Sequence, residues 1–238
     1  FRTDRTGETV EFTLVPGGKV QYLNATSSLA DIPLGTRCYF NLYPDNTGAF
    51  TQAWQVSDDF SRLATNHTTY RIMALNLAEG RVDVGWQLIK MKNYNGDMEQ
   101  TPDIGRSTLR VTPETHVWKD DKQIKLEDLK PGDELLYNLS GRTASSPGAC
   151  TDIWVGAETH KKVTEQQSAK FAERMKRLGL PGWIDKTEGN NVTLTFFSDD
   201  VPAFKKAWTD DLAAGKDVAL CVANEELRTW NPPVDKEK

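Results

Sequence analysis

The feature that most limits what this chain can fold into is a stretch that occurs twice. Residues 12–42 read FTLVPGGKVQYLNATSSLADIPLGTRCYFNL, and residues 109–139 read LRVTPETHVWKDDKQIKLEDLKPGDELLYNL. At one ungapped offset of 97 positions Pro16 meets Pro113, Val20 meets Val117, Leu29 meets Leu126 and Asp31 meets Asp128. Gly35 meets Gly132, and Asn41-Leu42 meets Asn138-Leu139. Beyond a connection taken as three residues longer in the second copy, Thr51-Gln52-Ala53-Trp54 is matched to Thr151-Asp152-Ile153-Trp154. A repeat has to be recognised before any element is assigned, because it decides how many structural units the chain holds.

A third, weaker echo follows. The segments Asp31–Gly35 and Asp128–Gly132 are answered by Asp211-Leu212-Ala213-Ala214-Gly215. Each is followed by alternating apolar residues: Cys38, Phe40, Leu42, then Leu135, Tyr137, Leu139, then Val218, Leu220, Val222. Each also runs on to a tryptophan, Trp54, Trp154 and Trp230, which the recurrence assigns to core packing. The spacing is too long for a solenoid and suits tandem small domains. The expected organisation is residues 1–63, 64–157 and 158–238, the last divergent.

Local patterning is that of short strands. Alternation over Thr9–Leu14 buries one face. Pro16-Gly17-Gly18 reads as a tight turn, Pro44–Gly48 as a hairpin loop, and Lys119-Asp120-Asp121-Lys122 as the reversal after His116-Val117-Trp118. Asn95-Gly96 suits a type I′ hairpin turn. In the Asp–Gly corners, aspartate accepts hydrogen bonds from nearby backbone N–H groups and glycine takes positive φ. Asp58-Asp59 reads as a helix cap before Phe60–Leu63. Tyr70, Met73, Ala74 and Leu77 have helical spacing and end at Gly80. A second helix is expected from a Thr164 cap through Phe171, Ala172, Met175 and Leu178, and a third from Asp199-Asp200. The expected fold is mainly β with a few helices (α+β), arranged as tandem OB-like small β-barrels.

The segments Val111–Thr115, Leu126–Asp133 and Ala149–Ile153 carry a resemblance to a family. The pattern of a strand into a threonine-containing turn, then a dL…Gd corner and strand, resembles small OB-like domains of unknown function in exported bacterial proteins. It covers about 50 residues well, residues 1–63 moderately and residues 158–238 poorly. The resemblance implies export and ligand binding and brings no catalytic residue. Independently, the chain begins at Phe1, which suggests that an upstream piece carrying an export signal has been removed.

Charge bounds the partners. A net charge of −5 argues against nucleic acid, whose phosphates need clustered Lys and Arg. No apolar run approaches a membrane span. Cys38, Cys150 and Cys221 sit in predicted strands with no zinc spacing, and His67, His116 and His160 share no ligand spacing, so neither metal nor cofactor is expected. The pairs Asp58-Asp59, Asp120-Asp121, Asp199-Asp200 and Asp210-Asp211 are read as caps and turns, not as acid/base machinery. The expectation is therefore a non-catalytic binding or scaffold protein with a carbohydrate or a protein/peptide partner. The opposing reading is a hydrolase using paired acids, or Cys150 with His160. Candidate binding residues are Trp86, His116 and Trp118, with Trp183, because aromatic platforms on OB-type barrels hold sugars and bases.

Overall fold

The structure is a computed structural model. It describes residues 9, 11–91, 98–141, 148–178, 182–189, 191–196, 206, 210 and 213–215. Two compact units divide the chain, residues 1–14 with 18–171, and residues 15–17 with 172–238.

The larger unit holds two sheets. The first is built from β1 (Thr13–Tyr22), β2 (Ala25–Thr26), β3 (Cys38–Pro44) and β4 (Phe50–Asp58), in the order β2-β1-β4-β3. A short helix, α1 (Asp59–Thr65), leads out of it. The second sheet contains β5 (Tyr70–Asn76), β6 (Arg81–Met91), β7 (Met98–Arg110), β8 (His116–Lys119), β9 (Lys122–Ile124), β10 (Glu134–Leu139) and β11 (Cys150–Val155). Its order is β7-β6-β5-β10-β11-β8-β9. Helix α2 (Ala157–Leu178) follows. Among the described residues the fold is mostly β, with α1 and α2 as its complete α-helices, and neither sheet closes into a barrel. Described by itself, the smaller unit contains the hairpin of β12 (Gly182–Glu188) and β13 (Asn191–Phe196).

The four strands 13–58 are paired as the four strands 116–155 are. In the first sheet β1 runs parallel to β4 with Val20 opposite Val56; in the second, β8 runs parallel to β11 with Val117 opposite Ile153. Phe40 faces Val56 as Tyr137 faces Ile153, both antiparallel. The hairpins correspond too, Gln21 opposite Thr26 and Trp118 opposite Gln123. Every one of these partners differs by the same 97 positions. The two hairpin turns adopt left-handed backbone at both central residues, Leu23 and Asn24 (φ 53° and 59°) and Asp120 and Asp121 (φ 50° and 64°). That is the geometry a two-residue turn between twisted strands requires. Asn and Asp tolerate it; Leu23 is held there by burial and by donating its N–H to Asp58 Oδ2 at 3.2 Å.

The corners behave as their composition predicts. Asp31 accepts from Ser28 N at 2.9 Å and Asp128 from Lys125 N at 3.0 Å, each closing a 3-10 turn. Gly35 and Gly132 follow at φ 88° and 93°, which a side-chain-bearing residue resists.

Several expectations are corrected. The offset does not change across the β3–β4 connection: Gln55 corresponds to Asp152 and Ser57 to Trp154, so Trp54 is not the counterpart of Trp154. Bulges between Asn41 and Leu42 and between Tyr43 and Pro44 set the register there, and the shared Thr-x-x-Trp spelling does not. Trp154 is buried, whereas Trp54 is 44% exposed, so the recurrence did not mark a core position; Trp230 lies outside the described residues. Pro16-Gly17-Gly18 makes no turn, because β1 continues through it with a break in register between Leu14 and Lys19. The predicted helix over Tyr70–Leu77 is strand β5 followed by a 3-10 turn. Tyr70 and Ile72 also obey period two, and pairing with both β6 and β10 decides in favour of the strand. Helix α2 begins seven residues before its predicted cap, with Thr164 inside it. The Asn95-Gly96 turn, the third Asp–Gly echo beyond Ala213–Gly215 and the helix from Asp199 lie outside the described residues.

Over β10, β11 and β8 the second sheet is covered on both faces. On one face Tyr70, Ile72, Val82, Val84, Leu109, Val117, Leu135 and Ile153 form a cluster to which strands from both ends of the sheet contribute. On the other, Leu136 and Trp154 pack with Phe60 of α1 and with Tyr22 and Leu23 of the first hairpin. The first sheet has one apolar face, with Val20, Ala53 and Val56 at its centre.

Candidate functional site

The opposite face of the first sheet is polar and concave. Alternation along β1, β3 and β4 brings Gln21, Tyr39, Asn41, Gln55 and Ser57 to one side, because Val20, Phe40 and Val56 occupy the other. Arg62, Thr65 and Asn66 from α1 and its end complete a cleft of about 290 Å³. Tyr39 is its fixed point. Its hydroxyl donates to Asp59 Oδ1 at 3.0 Å, and the Arg62 guanidinium lies 4.2 Å from the ring centroid. The lining otherwise consists of four side-chain amides and two hydroxyls, and no acidic side chain is among it.

At the corresponding places of the second sheet stand Trp118, Leu136, Asn138, Asp152 and Trp154. There α1 covers the face. Phe60 is buried edge-on to the Trp154 ring, centroids 5.0 Å apart. The same helix thus seals one sheet with Phe60 and walls the cleft of the other with Arg62 and Thr65.

A buried polar clasp fixes α1. Asp58, its N-cap, accepts from Ser61 N at 3.0 Å, Leu23 N at 3.2 Å and Asn138 Nδ2 at 2.8 Å. Asn138 Oδ1 accepts from Phe60 N at 2.9 Å. Asp59 is paired with Arg37 and accepts from Leu139 N at 3.1 Å. Burial pushes the Asp58 carboxyl above its ordinary range, against the pull of its donors on Ser61 and Asn138. Each carboxylate already has several backbone or side-chain donors, so this pair caps a helix and joins two sheets. Asp120 and Asp121 form a hairpin turn on a different element, and Asp121 is within 2.8 Å of Lys162.

The aromatic candidates separate. Trp118 Nε1 donates to Asp152 Oδ1 at 3.2 Å, and His116 Nδ1 lies 3.3 Å from the same oxygen, with the His116 and Trp118 rings 6.2 Å apart. His116 is exposed, while Trp118 leans on the cluster around Phe60. Trp86 belongs to the other face. It packs against Tyr70 at 4.8 Å and lies so close over Gly105 that a Cβ there would meet its ring at 2.3 Å. His116 and Trp118 are therefore together, and Trp86 is not with them. Trp183 is on β12 of the smaller unit.

Cys150 is buried and its thiol is pushed far up by burial; Cys38 is half-buried and pushed up to about 12 for the same reason. Both are free thiols. His160 Nε2 donates to the Trp154 carbonyl at 2.8 Å, and its ring meets Phe60 edge-on. Burial lowers its pKa. Among the described residues no three His, Cys, Asp or Glu side chains converge on a metal-sized site. No described helix is long and apolar enough to cross a membrane.

Sequence reading did not single out the cleft residues. A signal existed: where the 116–155 strands have Trp118, Leu136 and Trp154, the matching positions of the 13–58 strands have Gln21, Tyr39 and Ser57. In comparison with known proteins, the sequence matches no protein-family model and no curated protein.

Proposed function

We propose that the chain is a non-catalytic, exported protein of OB-like modules, two of them copies of one unit, and that it binds a sugar or peptide ligand at the polar face of the first sheet. The observation that carries this reading is the cleft. Where the second sheet seats a helix on Trp154 and Leu136, the first presents amides and hydroxyls to solvent. Side-chain amides offer a donor and an acceptor on adjacent atoms, which is what a ligand rich in hydroxyls or amides needs. At about 290 Å³ the cleft is near the small end of ligand sites, about 300–1,000 Å³. The cleft lining holds no carboxylate, thiol or imidazole to act as acid, base or nucleophile, which favours binding over hydrolysis. His116, Trp118 and Asp152 form a smaller polar–aromatic patch whose indole N–H is already engaged. Export is carried by the family resemblance of residues 111–153.

The test is a glycan and peptide array followed by calorimetry on Asn41→Ala and Gln55→Ala. Loss of about tenfold or more in affinity for whatever binds is expected. Ligands that bind both variants as tightly as the parent chain would remove the cleft from consideration.

A further inference from the structure

Resting on the cleft reading above, we infer that its ligand is an acidic saccharide, a sugar bearing a carboxylate, with Arg62 as the group that receives the charge. The cleft contains one cationic side chain and no anionic one. The chain as a whole has more acidic than basic residues, 34 against 29, so a concavity of this balance runs against the composition around it. The two acidic residues at the start of α1 are already engaged. Asp59 is held by Arg37, Tyr39 and Leu139 N, and Asp58 by Ser61, Leu23 and Asn138.

The positive charge of Arg62 instead rests on the face of the Tyr39 ring. Stacking uses the flat face of a guanidinium and leaves its N–H groups, which lie in the plane, for a partner. That partner is matched geometrically by a carboxylate, which takes two parallel N–H groups at once. Tyr39 cannot swing away, because its hydroxyl is tied to the buried Asp59. The guanidinium is therefore held in place before any ligand arrives, which reduces the side-chain entropy lost on binding.

The rest of the lining identifies what surrounds the carboxylate. Gln21, Asn41, Gln55, Ser57 and Thr65 can both donate and accept, as sugar hydroxyls can. A peptide recognised by its side chains would need apolar recesses for anchors. The only aromatic face here is taken by Arg62, so the cleft fits hydroxyls better than apolar anchors.

The experiment uses the full chain, with disaccharides of galacturonic or glucuronic acid, each set against the neutral sugar of the same linkage. Affinity is read by calorimetry at low and moderate salt. The acidic member is expected to bind at least tenfold tighter, with the preference shrinking as salt rises. Arg62→Gln should abolish the preference for the acidic sugar, while Arg62→Lys should retain part of it. Arg62 is exposed on α1, so neither change threatens the fold. Equal affinity for acidic and neutral sugars, a preference that survives Arg62→Gln, or Arg62-dependent binding of acidic peptides without saccharide binding overturns the inference. Saccharide binding that ignores both Arg62→Gln and Asn41→Ala fails the cleft itself, which separates the two conclusions.

Discussion

Asn41 and Asn138 lie 97 positions apart in strands paired alike, and their surroundings give them opposite work. Asn138 is buried, holding Asp58 through Nδ2 and the Phe60 amide through Oδ1. Asn41 is exposed on the rim of the cleft. Asn138→Ala strands two buried partners and should lower unfolding free energy by about 2–4 kcal/mol. Asn41→Ala should change it by less than about 0.5 kcal/mol, as exposed substitutions do. Chemical denaturation of the two variants side by side checks this; equal losses would mean the two sites are not environmentally distinct. Asp45 makes a separate case. Its carboxylate accepts from the Thr47 and Thr51 hydroxyls and from the Thr47 amide, which holds its pKa down at about 2. A depressed carboxylate stabilises the folded state above its ordinary pKa, near 3.9. That contribution is lost as pH falls through about 2. An NMR titration should place the Asp45 midpoint near that value and show it rising in Thr51→Val.

At the scale of elements, α1 is decisive. A helix of seven residues is too short to persist by propensity, so its packing must hold it. Phe60 supplies the apolar contact, and Asp58 and Asp59 supply the polar ones. Phe60→Ala should cost about 3–5 kcal/mol, the range for a buried aromatic left as a cavity. Arg37→Ala leaves Asp59 buried without its cation and should cost about 3 kcal/mol or more. Hydrogen exchange on Phe60→Ala should show amides of β3 and β10 losing protection together, since α1 bridges the two sheets. Retained protection in one sheet would show that α1 is not the joint. Strand β5 shows the other side of this scale. Its apolar residues fit helix and strand periods alike, and only the backbone groups offered by β6 and β10 resolve the ambiguity.

For the whole molecule, the two described cysteines report on integrity. Burial holds the Cys38 thiol up at about 12 and that of Cys150 higher still, so little thiolate forms near neutral pH. A thiol reagent at pH 8 should label them only at the rate of opening, and labelling should accelerate sharply in Phe60→Ala. Fast labelling at Cys38 or Cys150, located by peptide mapping, would contradict the burial on which both directions rest.

How much could be read beforehand follows from these cases. The Asp–Gly corners, the Asp120-Asp121 turn, the Asp58 cap and the offset of 97 were legible in the chain, because each depends on groups within a few residues or on simple recurrence; the Leu23-Asn24 turn, held by burial, was not. The helix assigned to Tyr70–Leu77, the equivalence of Trp54 with Trp154, and the shared face of Trp86 with Trp118 were misread. Each depended on which strand lies beside which, and on which side chain faces which layer.

By itself, then, the order of residues determined the Asp–Gly corners, the Asp120-Asp121 turn and the alternation of strands such as β3 and β10, since short-range hydrogen bonding and side-chain alternation act within a few positions. Only the tertiary structure decided that α1 buries Phe60 against the second sheet and turns its polar side chains to the first. The Phe60 ring finds Trp154 and Leu136 on the second, while the polar face of the first offers an apolar ring nothing to bury against.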